Sequence, residues 1–185
     1  MLPFLIIAGV FVIWFVIIYN GLISKRNEAD KAFASIDTMA KKRYDLIPNL
    51  VATVQQYMQH ERQTLTDITE MRAKATSGNL SDEEKIALDG KLSKAVSGIM
   101  VAVENYPDLK ASTNFMQLQG SLNEVEEQLS AARRFYNAAV TCYNNAIQMV
   151  PSNMVASMFN FQTKKLFEIT EQERQNVDVK SLFKS

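Results

Sequence analysis

The chain has 185 residues, with Lys plus Arg and Asp plus Glu balanced at 20 each. That balance gives no global charge to recommend a nucleic-acid partner, and a single cysteine excludes an intramolecular disulfide framework or a cysteine-rich metal site. Six Gly and four Pro are few, a composition better suited to long helices than to many short strands.

The chain opens on LPFLIIAGVFVIWFVII (residues 2–18), uncharged and almost wholly apolar, and YNGLI extends it to Ile23. At about 1.5 Å per residue this stretch reaches roughly 33 Å, enough for a hydrocarbon core of about 30 Å. Pro3 stands in the first turn, where a helix tolerates it. A cleaved signal peptide would need a basic n-region and a small-residue cleavage motif, and neither occurs before Lys25. The expectation is an uncleaved single-pass membrane anchor over residues 1–23, with Tyr19 near an interface. Lys25, Arg26 and Lys31 follow the apolar run, whereas no Lys or Arg precedes it. That asymmetry predicts the N-terminus outside and the C-terminal part in the cytoplasm.

Beyond the anchor the periodicity is helical. A first helix is predicted over 24–44, carrying Ala29, Phe33, Ile36 and Ala40 on one face. KKRYDLIPNL (residues 41–50) follows. Lys41, Lys42 and Arg43 read as cations offsetting the dipole at a helix end, and Asp45 and Pro48 as residues that redirect the chain. Pro48 either ends the first helix or only kinks a longer one. A second helix over 48–76 has Leu50, Val54, Tyr57, Leu65, Ile68 and Met71 as its stripe. TSGNL (76–80) supplies a loop whose glycine suits a helix end. SDEE (81–84) is a capping box opening a third helix over 81–105, continued by Leu88, Leu92, Val96, Ile99 and Val103.

YPDLKA (106–111) makes another corner, with Pro107 disfavouring helix at Tyr106. The longest seam then runs over 111–149. Phe115, Leu118, Leu122, Val125, Leu129, Ala132, Tyr136, Ala139, Tyr143 and Ala146 follow alternating steps of three and four. Glu124, Glu126, Glu127, Arg133 and Arg134 fall off that seam and read as a solvated face. Cys142 reads as a small buried residue. The pairs Tyr136–Asn137 and Tyr143–Asn144 are seven residues apart, so both tyrosines share one face; Tyr19–Asn20 echoes them. A short helix over 152–160 and a polar tail over 163–185 complete the reading. Amphipathic helices with short connections must bury their stripes against one another. The expected fold is all-α: a single N-terminal transmembrane helix followed by an antiparallel up-and-down four-helix bundle over 24–162.

No catalytic constellation emerges. His60 is the only histidine, so the paired Glu-x-x-His units of a carboxylate-bridged di-metal bundle cannot form. Neither a glycine-rich phosphate loop nor a G-x-S-x-G elbow occurs. The reading therefore assigns no catalytic, cofactor-binding or metal residues.

Taken in order, KRNEADKAFASID, KKRYDLIPNLVATVQQYMQHE, ENYPDLKASTNFMQLQGSL, ARRFYNAAVTCYNNAIQMVPSN and KKLFE, behind an apolar anchor ending in YN, resemble the LemA family of bacterial membrane proteins over roughly residues 19–168. The family's F-P-x-N stands here as VPSN (150–153), and the glycine-phenylalanine that often follows is Asn160–Phe161. The resemblance implies a helical bundle on one membrane helix and carries no catalytic residues. The expected function is a non-enzymatic scaffold or adaptor tethered to the bacterial inner membrane, in contact with the bilayer, with protein partners and with further copies of itself. The alternatives are a membrane-surface module that binds or remodels anionic lipid and, more remotely, an enzyme built on bundle carboxylates and a metal.

Overall fold

The computed structural model describes residues 1–167, and within them every regular element is helical. α1 spans Leu2–Val54, α2 Arg62–Thr76, α3 Asp82–Ala102, α4 Pro107–Lys110, α5 Thr113–Gln148 and α6 Ser152–Met158. The part of the predicted tail beyond residue 167 lies outside the described residues.

α1 is one helix of 53 residues, about 80 Å long. Its N-terminal part is long and apolar enough to cross a membrane, and Phe4 to Val12 project from the body without protein cover. The same helix continues through Ala29, Phe33, Ile36, Ala40, Ile47, Leu50 and Val54, all buried. Apolar segment and packed body therefore share a single rod.

Pro48 does not end the first helix, so the corner predicted near residues 44–48 is absent. Proline lacks the N–H that would bond the carbonyl four residues back. That carbonyl belongs to Tyr44, and Arg72 Nε from α2 donates to it at 2.8 Å. A charge-assisted bond from a neighbouring helix thus satisfies the acceptor that proline frees. Asp45 consequently caps nothing; it accepts from Lys41 at 3.0 Å, one turn away on the exposed face.

The reversal falls instead at residues 55–61, inside the predicted second helix, through a turn and a 3₁₀ segment at Gln59–Glu61. No Gly or Pro marks it. Met58 is completely buried there, and it shares one apolar cluster with Val54, Leu65 and Ile68, so packing closes the corner. Tyr57, expected on the buried stripe, is exposed as a result. Gly78 follows the C-cap of α2 at φ +76°, a left-handed conformation that costs glycine little. Ser81 and Glu84 form the reciprocal capping box.

α5 lies along α1 for most of its length. Phe115, Leu118 and Leu122 share a cluster with Ile47, Leu50 and Val54, whereas Tyr143 and Ile147 share one with Leu22. The two helices are therefore antiparallel. α2 and α3 pack beside the end of α1 remote from the apolar segment, burying Leu65, Ile68, Leu92 and Ile99. The seam predicted on α5 is buried at Phe115, Leu118, Leu122, Val125, Leu129, Tyr136, Ala139 and Tyr143, with Ala132 and Ala146 half-buried. Cys142 is on the outer face and exposed.

α6 folds back against the apolar half of α1, where Tyr19 meets Phe159 with ring centroids 4.7 Å apart. It closes with Asn160 at φ +53°. Asn160 N–H bonds Ser157 C=O at 3.3 Å and Phe161 N–H bonds Ala156 C=O at 2.9 Å, a Schellman closure. Asparagine tolerates the left-handed region better than other non-glycine residues, which is how Asn160 holds this position without a glycine.

Candidate functional site

Two polar constructions stand out from the apolar packing. The first joins α1, α3 and α5. Arg43 is 1% exposed, although the sequence reading placed it among cations at a helix end. Its guanidinium donates to Asp89 Oδ1, Ser93 Oγ and Glu126 Oε2, the last at 3.0 Å. Arg133 donates from Nε to Asp89 Oδ2 at 3.1 Å and from Nη1 to Glu126 Oε1 at 3.2 Å. Two arginines and two carboxylates thus neutralise one another. Burial disfavours the Arg133 charge, but Asp89 and Glu126 outweigh it and hold its pKa above the usual arginine value. The Tyr44 phenol beside this cluster is pushed up by burial and by the Asp89 charge. Arg43 Nε has no partner among the described residues. A recess of about 270 Å³ reaches the network past Val96, Met100 and Leu122. The charges lining it are balanced, so it offers no net field to an anion.

The second construction is a groove that seats an extended piece of the chain. Residues 162–167 run without helix along α5, and the two Tyr-Asn pairs hold them by their main chain. Asn144 donates to Lys164 C=O at 2.9 Å and accepts from Lys164 N–H at 3.0 Å. Asn137 does the same with Phe167, at 3.0 and 2.8 Å. Tyr143 Oη donates to Gln162 C=O at 2.8 Å and Tyr136 Oη to Lys165 C=O at 3.0 Å. One face of a helix therefore acts as the neighbouring strand, with amide side chains in place of a backbone ladder.

Side chains fix the register of this strap. Phe167 is buried against Phe33 and Tyr136, its ring edge-on to Tyr136 at 5.4 Å. Lys164 pairs with Asp30 of α1 at 2.7 Å, and Lys165 with Glu83 of α3 at 2.7 Å. Burial, reinforced by Asp82 and Asp30, raises the Tyr136 phenol to about 12. Tyr143 is raised by burial as well, partly offset by Arg26 and Lys164. Both hydroxyls remain donors across the physiological range, as the strap requires.

The residues singled out in the sequence divide accordingly. Lys41 and Lys42 are exposed, and Arg43 alone of the basic run enters the interior. Glu126 and Arg133, expected on a solvated face, are drawn into the network. His60 is exposed in the 55–61 corner. Among the described residues no three His, Cys, Asp or Glu side chains gather as a metal-binding set. Asp89 and Ser93 carried no signal in the sequence, because each matters only through partners more than thirty residues away.

These features define a class: an all-helical protein whose longest helix begins as an apolar segment able to cross a membrane and becomes the spine of a packed body. The profile of the LemA family matches residues 32–181, and the chain belongs to that family. It is 27% identical over 179 residues to Protein LemA of Metamycoplasma hominis, covering 97% of this chain and 82% of that protein. It is 30% identical over 83 residues to Magnetosome protein MamQ 2 of Paramagnetospirillum magneticum, covering 45% and 30% of the two chains. With Magnetosome protein MamQ of Magnetospirillum gryphiswaldense it shares 20% identity over 174 residues, 80% of this chain and 64% of that protein. The chain thus spans less than two thirds of either magnetosome protein.

Proposed function

We propose that the protein is a non-enzymatic scaffold or adaptor held at the bacterial inner membrane by the N-terminal part of α1. In this reading the N-terminus is outside and the rest of the chain, an up-and-down four-helix bundle formed by α2, α3, α5 and the remote half of α1, lies in the cytoplasm. The observation that carries it is the continuity of α1. With no hinge between the apolar segment and the body, whatever the body holds is kept at a fixed height and orientation over the bilayer. The clustered charges support the non-enzymatic part, since Arg43, Asp89, Glu126 and Arg133 use one another as partners. The charges following the apolar run, Lys25 and Arg26, support the orientation. The partners are proteins, further copies of this chain included.

Photo-crosslinking in intact membranes, with the reactive group at Val101 or Phe135 on the exposed body, tests the reading when read by mass spectrometry. The expected result is discrete protein adducts from both positions. Adducts absent at both, joined to metal-dependent hydrolysis by the purified chain, would contradict it. A reporter fused after Ser185 should give a cytoplasmic signal, and an external signal overturns the orientation.

A further inference from the structure

A second apolar surface lies outside the α1 segment. Met149, Val150, Met154, Met158 and Phe159 are 50–78% exposed, and all belong to the α5–α6 corner, to α6 or to its C-cap. No Lys, Arg, Asp or Glu occurs between Arg134 and Lys164. Exposed apolar groups concentrated in an uncharged stretch mark an interaction surface.

The position of that surface selects its occupant. α6 rests on the last turns of the apolar part of α1. Phe159 lies 6.0 Å from Phe15 and 4.7 Å from Tyr19, and Phe161 lies 6.1 Å from Tyr19. Val155 and Ala156 share a cluster with Leu22 and Ile18. Phe15 precedes Lys25, the first charge on α1, by ten residues, about 15 Å along the helix. That is roughly half the thickness of a hydrocarbon core. Charge resumes at one level on both elements: Lys164 on the strap and Arg26 on α1 both pair with Asp30.

Several polar groups of the corner find partners within it, as an apolar medium requires, while Asn153 Oδ1 has none among the described residues. Ser152 Oγ stands 2.6 Å from Ala146 C=O and 2.9 Å from Met149 C=O and shares its one proton between them. Asn153 N–H also bonds Met149 C=O at 2.8 Å, and Pro151 has no N–H to satisfy.

We propose that the α5–α6 corner sinks into the acyl chains of the leaflet that α1 crosses on its way to the body, as a second, non-spanning lipid contact. The protein then grips one leaflet at two points, and the body cannot swivel about α1. This rests on the reading of α1 as a membrane anchor.

The test uses the full chain in phosphatidylcholine nanodiscs, whose two faces are both open to water. Environment-sensitive probes are placed on Met158→Cys or Val150→Cys in a Cys142→Ser background. Ile7→Cys serves as the anchor control and Val101→Cys as the water control. The Met158 and Val150 probes should be quenched by lipids brominated on the acyl chain. Iodide should quench them about tenfold less than the Val101 probe, because an ion is excluded from hydrocarbon. If they follow Val101 while Ile7 follows the brominated lipid, the corner is in water and the proposal fails with the anchor intact. If Ile7 is also open to iodide, the anchor reading fails and takes the proposal with it. Probes shielded from iodide yet unquenched by brominated lipid would place protein over the corner, which overturns it as well.

Discussion

Asp89→Asn should be among the most damaging isosteric substitutions in this protein. Asp89 is buried and accepts from Arg43 Nη2, Arg133 Nε and Arg133 Nη2. The amide keeps the shape, removes the charge and turns an N–H₂ toward a guanidinium. Arg43 then retains one anionic partner, Glu126, whose side chain is 43% exposed and already shared with Arg133. Removing one member of a buried ion pair costs about 3–5 kcal/mol, most of it the burden of an uncompensated buried charge. At roughly 2–4 °C per kcal/mol for a chain of this size, the midpoint should fall by about 6–20 °C. Thermal unfolding of the full chain followed by circular dichroism at 222 nm reads this directly. Lys41→Ala, which breaks an exposed pair with Asp45, is the control and should cost about 0–1 kcal/mol. Arg43→Met combined with Asp89→Leu removes both deep charges and should recover much of the loss. An Asp89→Asn midpoint within the spread of the Lys41 control would refute the buried network.

Other outcomes follow from the packing and from the strap. Leu129→Ala and Leu118→Ala should each cost about 2–5 kcal/mol, the larger loss at Leu129, which has no exposure; urea titration of both variants checks the order. Asn144→Ala removes two main-chain bonds to Lys164, about 1–3 kcal/mol at typical net values, and should speed tryptic cleavage after Lys164 and Lys165 roughly tenfold or more; an unchanged rate would remove the ladder. Tyr136 ionises at about 12 in the folded chain against about 10 when unfolded. Its stabilising contribution is therefore complete below pH 10 and is lost as pH rises toward 12. Absorbance at 295 nm should show a tyrosine titrating near 12 that is missing in Tyr136→Phe.

What the sequence made legible was whatever depends on near neighbours. The α5 seam, the Ser81–Glu84 box and the glycine ending α2 are local patterns, and each has its expected place. The sequence leaves the course of α1 through Pro48 open, because the bond that relieves the proline comes from Arg72, 28 residues from Tyr44. The reversal at 55–61 was hidden for the opposite reason: nothing local marks it, and burial of Met58 makes it. Arg43, Glu126 and Arg133 looked like surface charge, since charge alone does not reveal whether a counter-charge waits across the interface. The tyrosine-asparagine repeat was visible as a shared face, while its partner, the main chain of 162–167, has no side-chain signature to announce it. Two-residue motifs at heptad spacing beside a short extended segment are the pattern to look for in related chains.

The apolar segment and the spine of the body form one unbroken helix. Double electron–electron resonance between spin labels at Val16→Cys and Ala52→Cys, in a Cys142→Ser chain held in nanodiscs, tests it. Thirty-six residues of continuous helix predict a single narrow distance distribution near about 54 Å. A distribution centred at about 42 Å or below, the limit for a chain that turns at Tyr44, would contradict it.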